Sequence, residues 1–290
     1  MGLLLQLLVN GLITGAVYAL VASGFSLTYS VCKFMNFAHG AFIASSGYLF
    51  FFFYSRVGVH LWLSAALAIS LASASGYLLD RVYSQMRRRG ASSVVLLIGS
   101  FAALIIFNSM ILMMFGADLK TVDAMRAGKG IGIFNIIITP LQASIIGTSL
   151  AIFILLSFFL KKTRMGLAMR AVSYNKQMAE ILGISSERIY ALTFMLAAAI
   201  AGIGGILISL EQGIDPNMGN ELVVKGFAAS VVGGIGSVPG AVIGSFVLGL
   251  TENLGVFLFP SQYKDLISFG LLIMFLIFRP RGIMGVGRDD

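Results

Sequence analysis

The sequence predicts an all-α polytopic transmembrane helix bundle of about eight to nine spans, some short or broken, forming a single domain over 1–290. Composition carries the first part of that reading. Of 290 residues, 58% are hydrophobic and 11% charged, against roughly 25% charged in an average soluble domain. The mean hydropathy is +0.95. Second, long apolar runs are separated by short polar clusters, as required when helices of about 20 residues cross a ~30 Å hydrocarbon layer. Third, lipid offers backbone amides no partners, so spans must close their hydrogen bonds internally. A membrane barrel would need ~10-residue segments of alternating polarity, and the sequence does not alternate that way.

The apolar segments lie near 4–31, 38–55, 61–80, 93–115, 140–160, 191–210, 222–236, 239–256 and 265–279. The first, opening "MGLLLQLLVNGLITGAVYAL", lacks a basic leader and runs too long for a secretory signal, so it is expected to be a retained span. Between the first and second lies "MNFAHGAF", which sets Asn36, His39 and Gly40 among apolar neighbours. Arginines 81, 87, 88 and 89 separate the third span from the fourth. Loop 116–139 precedes the fifth span, the polar stretch 161–189 precedes the sixth, and "RPRGIMG" follows the last.

Lys and Arg accumulate on the cytoplasmic side of membrane proteins. Placing the three strongest clusters (81–89, 161–188 and 279–288) on that side satisfies the parity of the spans between them, provided 222–236 crosses. With Lys33 this puts 14 of the 20 basic residues inside, loop 116–139 and the N-terminus outside, and the C-terminus in the cytoplasm. "HGAFIAS" at 39–45 and "PGAVIGS" at 239–245 share Gly-Ala-x-Ile-x-Ser at an offset of 200 residues. In this composition both chance and an internal repeat account for the match. Repeat-built transporters place the substrate path at the repeat interface, along broken helices. Gly11, Gly15, Ala19 and Ser23 stack on one helix face, as do Gly236, Gly240 and Gly244. Packing within the chain is the favoured reading of these stripes over a subunit interface.

Several function classes are excluded. The net charge of +8 sits in loops without interleaved exposed aromatics, which argues against nucleic acid. The one cysteine, Cys32, rules out an internal disulfide and a thiolate cluster. His39 and His60 lie at opposite ends of one span and cannot share a metal. Glu211, Glu221, Glu252 and Asp265 near span ends are expected to be solvated loop residues, and Lys225 is expected to snorkel outward.

In "KKTRMGLAMRAVSYNKQMAEILGISSERI", 161–189, charged and apolar residues alternate as in short amphipathic helices, and the helix breakers Gly166 and Gly183 are expected to bracket a short helix between two turns. Such a stretch suits either a surface helix held by anionic membrane lipid or a docking element for a cytoplasmic partner.

Part of it, "GLAMRAVSYNKQMAEILGI", closely resembles the cytoplasmic loop of the permease subunits of branched-chain amino-acid ABC importers. The family's Gly, Arg-Ala, Asn, Ala and Gly-Ile fall on Gly166, Arg170, Ala171, Asn175, Ala179, Gly183 and Ile184. "GAVYALVASGFSLTY", "NFAHGAF", "AGIGGIL", "GFAASVVGGIGSVPGAVIGS" and "RPRGIMG" extend the resemblance over nearly the whole chain. It is similar to the shorter of the family's two permease types. Loop 116–139 departs from the pattern in having no proline and three basic residues.

The resemblance implies a homodimeric or heterodimeric pore with a second permease subunit in a bacterial inner membrane. It also implies two cytoplasmic ATPase subunits and an external substrate-binding protein. The expected coupling residues are then Arg164, Gly166, Arg170, Ala171, Asn175, Ala179, Glu180 and Gly183. The chain itself needs no cofactor, because "AGKGIG" at 127–132 lacks the glycine spacing and the Ser or Thr of a P-loop; ATP would be bound by the partners. Expected path-lining groups are Asn36, His39, Ser45, Ser46, Ser230 and Ser237, polar residues at the broken segments. Two alternatives remain at this point: the same architecture carrying urea, an amide or a sugar, and an ion-coupled secondary transporter.

Overall fold

A computed structural model describes residues 2–122, 131–133 and 136–285; the first four residues of "AGKGIG" and Arg288 lie outside them. The elements are α1 (Gly2–Cys32), α2 (His39–Phe51) running into a π turn at Phe52–Arg56, α3 (Leu61–Arg88) and α4 (Ser93–Phe115). A small antiparallel hairpin, β1 (Ile131–Ile133) and β2 (Ile136–Ile138), leads into α5 (Pro140–Lys162). Then follow α6 (Arg164–Tyr174), α7 (Lys176–Ile181), α8 (Ser186–Gln212), α9 (Met218–Gly233), α10 (Val238–Gly255) and α11 (Lys264–Phe278). The all-α bundle of the sequence reading is the observed architecture.

Among the described residues, α1, α3, α4, α5, α8 and the segment Ser261–Phe278 are long and apolar enough to cross a membrane. Two short pieces complicate the count. The 13-residue α2 is only ~20 Å long at 1.5 Å per residue. Segment 222–236 belongs to α9, which meets α10 in a bend of 111°, so the two pass as spanning only as a broken pair.

Local chemistry sets the helix ends. Thr139 and Gln142 form a reciprocal capping box with Pro140 in the first turn of α5. Ser92, Thr163, Asn175 and Ser237 each accept a backbone N–H at the start of α4, α6, α7 and α10. Helix α1 ends at Lys33, whose φ of 60° turns the chain out of the helix.

Burial separates two layers. The spanning stretches of α1 and α8 are 50% and 61% buried, against 22%, 22%, 17% and 11% for α3, α4, α5 and α11. Thus α1 and α8, with the largely buried α2, α9 and α10, make the centre, and the apolar outer faces of the other four are left for lipid.

Small residues hold that centre together. A Cβ on Gly15 would lie 3.0 Å from Phe246 Cα on α10, and Gly205 of α8 abuts the Ile43 carbonyl of α2. Gly240 and Gly244 face Gly233 of α9. Both small-residue stripes therefore pack within this chain. Without a hydrophobic driving force in lipid, such close backbone approach supplies the dispersion contacts that associate helices.

Beyond α11 the chain returns to the α9–α10 corner. The amides of Ile283 and Met284 donate to the carbonyls of Val232 and Gly233, at 2.9 and 2.8 Å. These are carbonyls the end of α9 would otherwise leave unpaired. Gly234 and Gly282, with φ of 113° and 71°, meet there backbone to backbone.

Candidate functional site

The two ends of the bundle differ in chemistry. At the end where α1 begins, the connection after α4 pairs with the one after α8 through a two-way backbone bridge between Lys120 and Ile214. There the Gln6 carboxamide bonds both the N–H and the C=O of Ile137, so α1 is tied to β2. The basic clusters gather at the other end, with α6 and α7.

At that basic end, Arg87 on α3 pairs with Asp80 at 2.7 Å and lies 4.6 Å over the Tyr190 ring of α8. Arg88 makes a two-pronged ion pair with Glu187 at the start of α8. Helices α6 and α7 form a shelf between α5 and α8. Gly166 presses on the Phe159 and Leu160 backbone, leaving no room for a side chain. Ser173 donates to the Ser30 carbonyl at 2.7 Å, joining α6 to the end of α1. Arg170 reaches the Lys161 carbonyl at 3.4 Å.

Asn175 separates the two short helices and caps the second at 3.0 Å. Ala179 is buried beneath it, while Ser186 donates to Glu180 and so ties α7 to α8. Gly183, at φ 82°, makes the turn between them. Arg164 opens α6, and Ala171 supplies the carbonyl that accepts the Asn175 amide. The structure thus brings the eight expected coupling residues onto one shelf. Its open side carries Tyr174, 96% exposed, with Met178, Ile181 and Leu182.

Of the expected path residues, Asn36, His39, Ser46 and Ser230 lie in the packed interior, and Ser45 and Ser237 are half-buried. Asn36 accepts from the Tyr83 hydroxyl at 3.3 Å, and the neighbouring Phe37 amide donates to Ser100 at 3.0 Å, pinning the α1–α2 break to α3 and α4. The His39 ring is buried against Gly24, with its edges toward Phe25 and Phe42. Ser46 donates to Ile43 O at 2.8 Å, and Ser230 donates to Gly226 O at 2.8 Å and Ala22 O at 3.3 Å. Ser45 is half-buried beside Ser46, and Ser237 caps α10.

A cavity of about 700 Å³ opens instead at the end where α1 begins, between α1, α8, α9, α10 and α11. Ile13, Val17, Ile208, Leu222 and Phe269 supply apolar wall. Its polar side centres on Lys225, whose Nζ reaches Glu252 at 2.5 Å, Asp265 at 2.8 Å and Ser268 at 2.8 Å. Tyr18 donates to the other Glu252 oxygen at 2.8 Å, and Ser268 also donates to Glu252. Lys225 and Glu252 are only 8% and 1% exposed, so Lys225 turns inward instead of snorkelling and Glu252 is not a solvated loop residue. The reason is mutual compensation: an ionised group enters a low-dielectric interior when an opposite charge and further hydrogen bonds surround it. The sequence signal is an ionisable residue inside an apolar segment, but its partner lies 27 residues away and the bend between α9 and α10 brings them together.

Among the described residues no group of three or more His, Cys, Asp or Glu could hold a metal.

Residues 7–276 match the family described as branched-chain amino acid transport system, permease component. The chain is 35% identical to the high-affinity branched-chain amino acid transport system permease protein BraD of Pseudomonas aeruginosa, over 97% of this chain and 95% of that protein. It is 34% identical, over the same shares, to LivH of Escherichia coli, a permease protein of the same description. Among solved structures, PsaBC from Streptococcus pneumoniae in complex with Fab shares the fold, with a TM-score of 0.51 at 15% identity, covering 94% of this chain and 91% of that one.

Proposed function

Because the chain belongs to the permease family of branched-chain amino-acid transport systems, we propose that it forms the membrane path of an ATP-driven importer for branched-chain or other hydrophobic amino acids. A transport subunit of this kind needs no ATP site of its own. Its expected partners are a second permease subunit, two ATPase subunits and an external binding protein.

The observation that carries the reading is the α6–α7 shelf. Two individually capped short helices project Tyr174, Met178, Ile181 and Leu182, an apolar face flanked by Arg164, Arg170 and Lys176. Aromatic and aliphatic anchors within a polar rim suit a protein partner. A rigid shelf also transmits displacement: α6 is wedged on α5 through Gly166, linked to α1 through Ser173, and followed by α7, which Glu180 ties to α8. ATP-driven movement of the partner would then rock α5 and α8.

Charge asymmetry supports putting this shelf, the basic clusters and the C-terminus in the cytoplasm and the N-terminus outside. We assign the inner part of the path to the region of Asn36, His39, Ser45, Ser46, Ser230 and Ser237, where the α1–α2 break and the α9–α10 corner interrupt the helices. The outer cavity would receive solute from the binding protein.

Reconstitution of the chain with its partner subunits is expected to give leucine uptake that requires ATP and the binding protein. Leucine uptake by vesicles holding this chain alone, driven by an ion gradient, would overturn the proposal.

A further inference from the structure

The outer cavity contains more charge than a passage for aliphatic solutes requires. Lys225 is buried on the membrane-embedded α9, and its three ammonium donors meet Glu252, Asp265 and Ser268. These three partners are unequal. Glu252 is 1% exposed and held by Tyr18 and Ser268 as well, and Ser268 is fully buried. The Asp265 side chain is 74% exposed and sits on the first turn of α11, at the cavity edge. One bond of the cluster therefore faces the cavity with a hydrated, replaceable partner, and the others are locked inside.

We propose that the Lys225–Asp265 pair is a recognition site for the zwitterionic head of a free α-amino acid. This rests on the importer reading and extends it by naming the groups that hold the substrate within the membrane. The solute carboxylate takes the place of the Asp265 carboxylate on Lys225, and the released Asp265 accepts the solute α-ammonium. The Lys225–Glu252–Ser268 core stays intact. The exchange conserves charge: one ion pair becomes two alternating pairs, and no ionised group is left alone in low dielectric. A monoanion would strand Asp265, and a monocation would have to compete with Lys225 for it. A neutral sugar or amide inserted there would break the Lys225–Asp265 pair and give Asp265 no new ionic partner. Selection between these classes comes from that asymmetry, since unpaired buried charge costs far more than a matched pair returns.

The apolar wall completes the fit. Phe269 and Leu222 flank Lys225, and Ile13 and Val17 come from α1, so an aliphatic side chain has apolar surface beside the charged head. A cavity of about 700 Å³ leaves space for water around such a solute. That favours weak, reversible holding, which a translocation site needs.

The test uses the full reconstituted complex, without binding protein, in nanodiscs. Glu221, exposed and on the cavity lining, is replaced by Cys as a reporter, and the rate of its modification by a charged thiol reagent is measured. Cys32, the chain's native cysteine, is buried. L-Leucine should slow labelling, while 4-methylpentanoate and isopentylamine, each lacking one head charge, should not. Adding Asp265→Asn should raise the leucine concentration for half-protection about tenfold or more, the scale of one lost charge-assisted hydrogen bond.

Asp265 is exposed, so this variant is expected to fold. The paired change Lys225→Gln with Glu252→Gln, which keeps the core neutral, should abolish protection. Equal protection by either half-analogue, or an unchanged leucine midpoint in Asp265→Asn, overturns the proposal. ATP-driven leucine uptake, measured in parallel, reports on the importer reading separately. Uptake without the labelling pattern removes only this site, whereas absence of uptake removes the importer reading.

Discussion

Gly249 on α10 rests on the backbone of Gly15 on α1, so close that a Cβ on Gly249 would fall 2.5 Å from the Gly15 nitrogen. Two antiparallel helices cross closely here because glycine on α1 leaves room for its neighbours on α10, Gly11 meeting Leu250 as Gly15 meets Phe246. Gly249→Ala should therefore push the helices apart and cost about 1–3 kcal/mol, the usual range for overpacking. Gly147 on α5 provides the control, since a Cβ there meets nothing within 4 Å. Thermal unfolding in detergent should show a clear loss for Gly249→Ala and none for Gly147→Ala. Equal midpoints would mean that the α1–α10 contact does not limit stability.

A second expectation concerns the basic end of α3. Asp80 and Arg87 form a pair whose side chains are 3% and 17% exposed, and Asp80→Ala leaves the guanidinium without its carboxylate. Breaking such a pair on one side costs about 3–5 kcal/mol. The nearby Arg88–Glu187 pair is open to solvent, so Arg88→Ala should leave the midpoint almost unchanged. Comparing the two variants by thermal scan at low and high salt checks the ordering. The reverse ordering would contradict the burial argument.

The tail latch offers a third. Gly282 holds a φ of 71° against Gly234, where a side chain would be both strained and obstructed. Gly282→Ala should release Ile283 and Met284 from α9 at a cost of about 1–2 kcal/mol, which is roughly a five- to thirtyfold change in the docked fraction. Trypsin cleavage after Arg281 should accelerate accordingly. A cleavage rate matching the unaltered chain would show that the tail stays docked.

For the shelf, Tyr174→Ala with Ile181→Ser removes two exposed apolar anchors without touching the caps at Thr163 and Asn175. The permease should keep its thermal midpoint, since surface changes away from caps and core alter stability little. It should lose at least about tenfold in affinity for the ATPase subunits, as truncation of interface anchors does. Thermal scans read the first and pull-down from detergent the second. Undiminished ATPase binding would detach the shelf from the coupling role.

Much of the architecture is legible in the sequence, for a physical reason that varies along the chain. Helix α5 is marked at both ends, by Thr139-Pro140 with Gln142 three residues on and by the lysines at 161 and 162, because capping is a local interaction. In the α6–α7 stretch Gly183 makes the expected turn, whereas Gly166, expected to break a helix, lies inside α6, whose start is set by the Thr163 cap. What hydropathy does not express is direction. Segment 222–236 has the polarity of an ordinary crossing, but Gly233, Gly234 and Gly236 let the backbone bend by 111° into α10. Lys225 and Glu252, each taken with the polarity of its own neighbours, read as facing water, whereas the fold turns both inward toward one another.

The sequence by itself therefore determined the class of molecule, the positions of most helices, the polarity of charge along the chain and the shelf's capping, all consequences of neighbours within a few turns. Tertiary structure alone decided which glycines become helix crossings, where the tail docks, and that Tyr18, Lys225, Glu252, Asp265 and Ser268 form one cluster. Those residues come from four helices up to 250 positions apart. A buried charge is tolerable only when its partners arrive with it, and their arrival depends on how the helices pack, which no local pattern encodes.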